Sequence, residues 1–110
     1  MNLEYLRELL GIKVYLEFDN FKKGMLKEEP KEIFNQAYKV DCYINFYEHL
    51  IGMSERLGED EIKSVIFFPS FLAFLFEEWI KRPELGSNDM YEFISEEIQK
   101  QTREYLKEVA

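Results

Sequence analysis

The chain has 110 residues, the length of one ordinary domain, and its 46% hydrophobic and 16% aromatic content supplies enough apolar surface to order a backbone, which excludes disorder. Fourteen basic against 22 acidic residues give a net charge of −8, which repels nucleic-acid backbones and anionic membranes and favours basic partners. Three prolines and five glycines are too few for the frequent turns of a sandwich or barrel, so composition favours helices.

The first segment carries two periods. Ile12, Val14, Leu16 and Phe18 alternate with polar neighbours over a strand's length, but Leu3, Leu6, Leu10, Val14, Phe18, Phe21 and Met25 recur in steps of three and four for more than twenty residues. The longer series predicts a helix from about Leu3 to Lys27. Gly11 is the one point at which it could break in two, because glycine costs on the order of 1 kcal/mol inside a helix.

Pro30 suits the first turn of the next helix, where its missing N–H does no harm. From Lys31 to Leu57 two apolar stripes run side by side: Ile33, Ala37, Val40, Ile44, Tyr47 and Ile51 form one, and Tyr43, Phe46, Leu50, Met53 and Leu57 the other. So broad an apolar arc predicts a central helix with two or more neighbours. Gly58 is placed to cap its end, and Glu59, Asp60 and Glu61 supply acids to the following N-terminus.

Pro69 ends that short helix, because Phe68 before it is pushed out of the helical region, and Ser70 is placed to cap a helix from Phe71 to about Lys81. The stretch Val65–Ile80 is thereby divided into a corner between two helices. Arg82-Pro83 stops the second. Asp89, with Glu92 three residues on, resembles a capping box for the last helix, with Ser87 or Asn88 as alternative caps. Phe93, Ile98, Tyr105 and Val109 give that helix an apolar face. The expectation is one all-α domain over residues 1–110, an irregular bundle of five or six helices with Lys31–Leu57 and Phe71–Lys81 at its centre.

Catalytic and metal signatures are missing from the sequence. Cys42 precedes His49, the single histidine, by seven residues, about 10.5 Å along a helix, too far for a thiolate–imidazole pair. Paired acids such as Glu77/Glu78 point about 100° apart on a helix and do not converge on one substrate atom. No phosphate-binding glycine loop, nucleophile elbow or Cys-x-x-Cys pair occurs. The expectation is a non-enzyme with no metal and no cofactor. The uncharged run Ser64 to Phe76 is too short for a bilayer and is interrupted by Pro69. A lone cysteine and the lack of a secretory signal at the N-terminus predict a cytoplasmic protein.

Two binding surfaces follow from composition. Acids interleaved with tyrosines can replace the phosphates of a nucleic acid on a basic partner protein, and the acidic belt Glu59, Asp60, Glu61, Glu77 and Glu78 is the predicted partner-binding set. Phe67, Phe68, Phe71 and Phe74 form the alternative, a hydrophobic interface for a partner or a second copy.

The order of Tyr15-Leu-Glu-Phe-Asp-Asn-Phe21, Lys27-Glu-Glu-Pro-Lys-Glu-Ile-Phe-Asn-Gln-Ala-Tyr38, Leu57-Gly-Glu-Asp-Glu-Ile62, Leu75-Phe-Glu-Glu-Trp79 and Asp89-Met90 resembles a family of small, uncharacterised helical domains from Firmicute bacteria, their phages and mobile elements. It spans about residues 15 to 98, with Tyr43 to Arg56 as an insert-like departure. The resemblance implies a small intracellular helical protein and carries no catalytic residues. By analogy with small acidic phage and bacterial proteins, the expected function is inhibition of a basic, nucleic-acid-handling protein, of the anti-CRISPR or antitoxin/immunity type. The alternative is a homodimeric structural or scaffolding protein that uses residues 65–80 as its interface.

Overall fold

Leu6, Leu10 and Val14 share one face of a helix, and burying that face drives the first element. In a computed structural model, which describes residues 2–82 and 89–109, this helix, α1 (Leu3–Leu26), is continuous through Gly11. The Asn2 side chain caps it by accepting from the N–H groups of Glu4 at 2.7 Å and Tyr5 at 3.4 Å. A Cβ added at Gly11 would meet nothing within 4 Å, so the glycine is not needed for packing.

The single helix expected over Lys31–Leu57 is instead three pieces. Helix α2 (Pro30–Asn35) ends at Gln36, whose backbone (φ −104°, ψ 19°) leaves the helical region, and α3 (Ala37–Met53) restarts immediately. Helix α2 buries no residue, so packing does not hold it in line with α3. At the other end, Ser54–Arg56 tightens into a 3₁₀ turn. Arg7 ties this turn to α1: its Nε and Nη2 donate to the carbonyls of Ser54 (3.2 Å) and Glu55 (2.9 Å).

Gly58 caps the next helix and not the previous one. Its backbone is extended (φ −86°, ψ 177°), and its N–H donates to Glu61 Oε1 at 2.8 Å at the start of α4 (Glu59–Ile66). Ser70 occupies the N-cap position of α5 (Phe71–Ile80) but makes no capping bond with its side chain. Glu17 of α1 does so in its place, accepting from Leu72 N–H at 2.8 Å. Asp89 caps α6 (Met90–Val109) as expected, with Glu92 N–H donating to its Oδ1 at 3.0 Å; Ser87 and Asn88 lie outside the described residues.

No strand occurs among the described residues, and the helices enclose one core. Tyr43, Phe46, Leu50, Met53 and Leu57 are all buried, so the second stripe of the central segment is its inner face. Phe46 sits at the middle, edge-on to Trp79 at 6.4 Å and beside Phe93 at 6.4 Å. Trp79 Nε1 donates to Tyr38 Oη at 2.7 Å, which satisfies the indole, and the Arg82 guanidinium lies 4.9 Å over its ring.

Helices α4 and α6 run parallel in a fixed register. Glu61 meets Gln99, Ser64 meets Thr102 and Phe67 meets Tyr105, each pair offset by 38 residues. The Ser64 and Thr102 oxygens are 3.2 Å apart, and each hydroxyl also has a carbonyl of its own helix within reach (Glu61 and Ile98, both 2.7 Å), so neither buried hydroxyl proton lacks an acceptor. The length of α1 makes the molecule elongated: its radius of gyration is 14.7 Å, against about 13 Å for a compact domain of this length.

Candidate interaction surface

Three of the five acids of the predicted belt are engaged locally. Glu59 accepts from Lys63 Nζ at 2.7 Å, a hydrogen bond and charge pair that hold its carboxyl below the usual carboxylate range and the ammonium above its own. Glu61 is structural, with one oxygen on Gly58 N–H and the other accepting from the Gln99 amide. Glu78 pairs with Lys81 at 3.1 Å. Asp60 and Glu77 are exposed.

The five do not form one patch. Arg7 anchors the turn just ahead of Asp60 to the first part of α1, whereas Glu17 anchors the start of α5, ahead of Glu77. Ten residues of helix, a rise of about 15 Å, separate those anchors. The belt is therefore two acidic groups at different heights along α1.

The structure adds new members to the first group. Glu4 and Glu8, one turn apart on α1, line an open cleft of ≈ 410 Å³ with Arg7, Ser54 and Glu55, directly before Glu59 and Asp60. Arg7, the base in this cleft, directs its guanidinium to two backbone carbonyls. Every ion pair among the described residues is local, at i,i+3 or i,i+4 within one helix or its C-cap, so none ties an acid of this first group to another element. The spacing of Glu4, Arg7 and Glu8 is visible in the sequence, but it suggests mutual neutralisation; that Arg7 reaches residues 47 and 48 positions away is not.

The four phenylalanines of the proposed interface also separate. Phe71 is 0% exposed and belongs to the core, so it offers no surface. Phe68 and Phe74 are half-buried, pack on each other at 4.7 Å and close the corner over Phe71. Phe67 alone stands out, 66% exposed, its ring stacked on Tyr105 at 6.0 Å and 17°.

A second apolar surface lies where the sequence predicts a buried stripe. Ile33, Phe34, Ala37, Val40 and Ile44 line a shallow depression of ≈ 370 Å³ beside Asp41. Phe34 is 80% exposed. From Ile33 to Ile44 the outer stripe of the central segment thus lacks the second neighbour that its width suggests, whereas Tyr47 farther along it stacks on Phe18 of α1 at 5.0 Å.

Cys42 is buried, and burial pushes its thiol up, the opposite of an activated nucleophile. The His49 ring meets Tyr91 edge-on at 6.2 Å, and the Tyr91 hydroxyl accepts from Arg56 at 3.2 Å. Among the described residues no group of three His, Cys, Asp or Glu side chains is placed to hold a metal ion, and no helix is long and apolar enough to cross a membrane. No family model, curated protein or solved structure matches the chain.

Proposed function

We propose that the protein is a non-catalytic binding protein that blocks the basic surface of a nucleic-acid-handling partner through its acidic pole. The observation that carries this reading is the cleft of Glu4, Glu8 and Glu55 around Arg7, with Glu59 and Asp60 following a few residues on in the chain, in the first turn of α4. Arg7 spends its donors on carbonyls and not on these carboxylates, so that, although its charge lowers their field, their oxygens remain open to the donors of a partner, where they stand in for phosphates. The size, the charge of −8 and the resemblance to small helical domains of phages and mobile elements support an inhibitor of the anti-CRISPR or antitoxin/immunity type acting in the cytoplasm. The test is affinity capture from a bacterial lysate with the wild type and with a Glu8→Lys/Glu55→Lys/Asp60→Lys variant shown by circular dichroism to be folded. Basic nucleic-acid-binding proteins retained by the first and lost by the second support the reading; equal retention by both contradicts it.

A second reading, a homodimeric structural or scaffolding protein, is favoured by the exposed α2–α3 face around Phe34 and Ile44. Residues 65–80 are less suited to that role, since Phe67 and Ile80 are their strongly exposed apolar members. Light scattering tests it: a dimer that Phe34→Glu converts to a monomer supports self-association, and a monomer at all concentrations removes it.

A further inference from the structure

The parallel register of α4 and α6 brings both C-terminal ends to the same side of the molecule, with α6 overhanging. Helix α4 stops at Ile66, the counterpart of Glu104 in that register, and α6 continues to Val109. The step between them is a cleft of ≈ 230 Å³, with Phe67, Phe68 and Pro69 on one wall and Glu104, Tyr105 and Glu108 on the other. No base is among its lining residues.

We infer that this cleft receives a single arginine side chain from the basic partner proposed above, a reading that rests on that proposal and adds a second, specific contact to it. Three independent features favour a guanidinium there. The stacked pair Phe67 and Tyr105 presents an exposed aromatic face, and a planar cation lies on such a face with attraction from the ring quadrupole. Glu104 and Glu108, one turn apart on α6, supply carboxylates to the fork of N–H donors; the exposed pair of Glu104 with Lys107, at 3.4 Å, is weak enough to exchange. The last turn of α6 adds the negative end of its dipole, whereas the end of α4 is already closed by the Phe67 and Phe68 N–H groups, which donate to the Lys63 and Val65 carbonyls at 2.9 and 3.2 Å. The cleft has room for one side chain and not for a helix, so the recognised unit is a residue protruding from the partner's surface.

The experiment is a ¹H–¹⁵N NMR titration of the full chain with N-acetyl-arginine methylamide, with the citrulline analogue as a neutral isostere and the lysine analogue as a second cation. Saturable shifts of the Phe67, Tyr105 and Glu108 amides with arginine, weaker with lysine and missing with citrulline, are expected. Phe67→Ala should weaken that binding about three- to tenfold, and Glu104→Gln/Glu108→Gln at least as much, without loss of fold, because all three side chains are exposed. Citrulline shifting the same amides equally would overturn the assignment. So would arginine shifts confined to Arg7, Glu8 and Glu55, which would leave the acidic-pole reading standing. An absence of shifts anywhere would also overturn the cleft, while the charge-reversal capture would still decide the broader reading.

Discussion

Glu17 Oε1 accepts a 2.8 Å hydrogen bond from the backbone N–H of Leu72, so that a carboxylate on the first long helix caps the start of α5 from 55 residues away. Lys13, one turn earlier on α1, pairs with the same carboxylate and holds it in place. The bond ties the corner at Pro69 and Ser70 to α1, and it places negative charge at a helix N-terminus, where the dipole favours it. Glu17→Ala should lower stability by about 1–2 kcal/mol, as the loss of a partly buried charged cap does. Ser70→Ala should change it by less than about 0.5 kcal/mol, since the Ser70 side chain makes no capping bond. Urea unfolding of both variants reads the difference directly.

Gly11 offers a change in the other direction. It lies within a continuous helix, and a Cβ there meets nothing within 4 Å. Gly11→Ala should raise stability by about 0.5–1 kcal/mol, by helix propensity and by reducing the freedom of the unfolded chain. A higher thermal midpoint without a change in the circular dichroism spectrum would register it.

The buried thiol of Cys42 is shielded twice, by packing and by burial that disfavours the thiolate. Its labelling by a disulfide reagent at neutral pH should therefore track global unfolding and speed up as urea is added. Rapid labelling of the native protein would show that α3 opens locally.

Two phenylalanines of similar appearance in the sequence should behave in opposite ways. Phe46, fully buried between Trp79 and Phe93, should cost about 3–5 kcal/mol when replaced by alanine. Phe34, four-fifths exposed on α2, should change stability by no more than about 0.5 kcal/mol when replaced by glutamate, and solubility should rise. Chemical denaturation of the two variants separates core from surface.

Those two residues also mark where the sequence was legible. Period 3.6 located the helices, and proline and capping residues located the corners at Pro30, Pro69 and Asp89, because these signals are local. The inner stripe from Tyr43 to Leu57 was readable for the same reason. The break at Gln36 and the open face from Ile33 to Ile44 were not, because an apolar stripe states only that a neighbour would be welcome, not that one exists. Gly58 departs from its expected C-cap role because a glycine between helices suits either a left-handed C-cap or an extended N-cap, and the Glu61 bond that decides between them is a matter of geometry. The acidic surface was visible as composition but not as shape. Glu4, Glu8 and Glu55 come together only because Arg7 reaches across to the turn after α3, shortly before Glu59 and Asp60 in the chain, whereas Glu77 follows the separate anchor at Glu17.

The acidic pole makes one quantitative demand, that binding of its partner release counterions and weaken with salt through these particular carboxylates. The direct measurement is the slope of log Kd against log salt for the captured basic partner, taken with the wild type and with Glu8→Lys/Glu55→Lys/Asp60→Lys. The account predicts a steep salt dependence for the wild type and, for the variant, an affinity lower by at least about tenfold with a shallow slope. Equal affinities and equal slopes would contradict it.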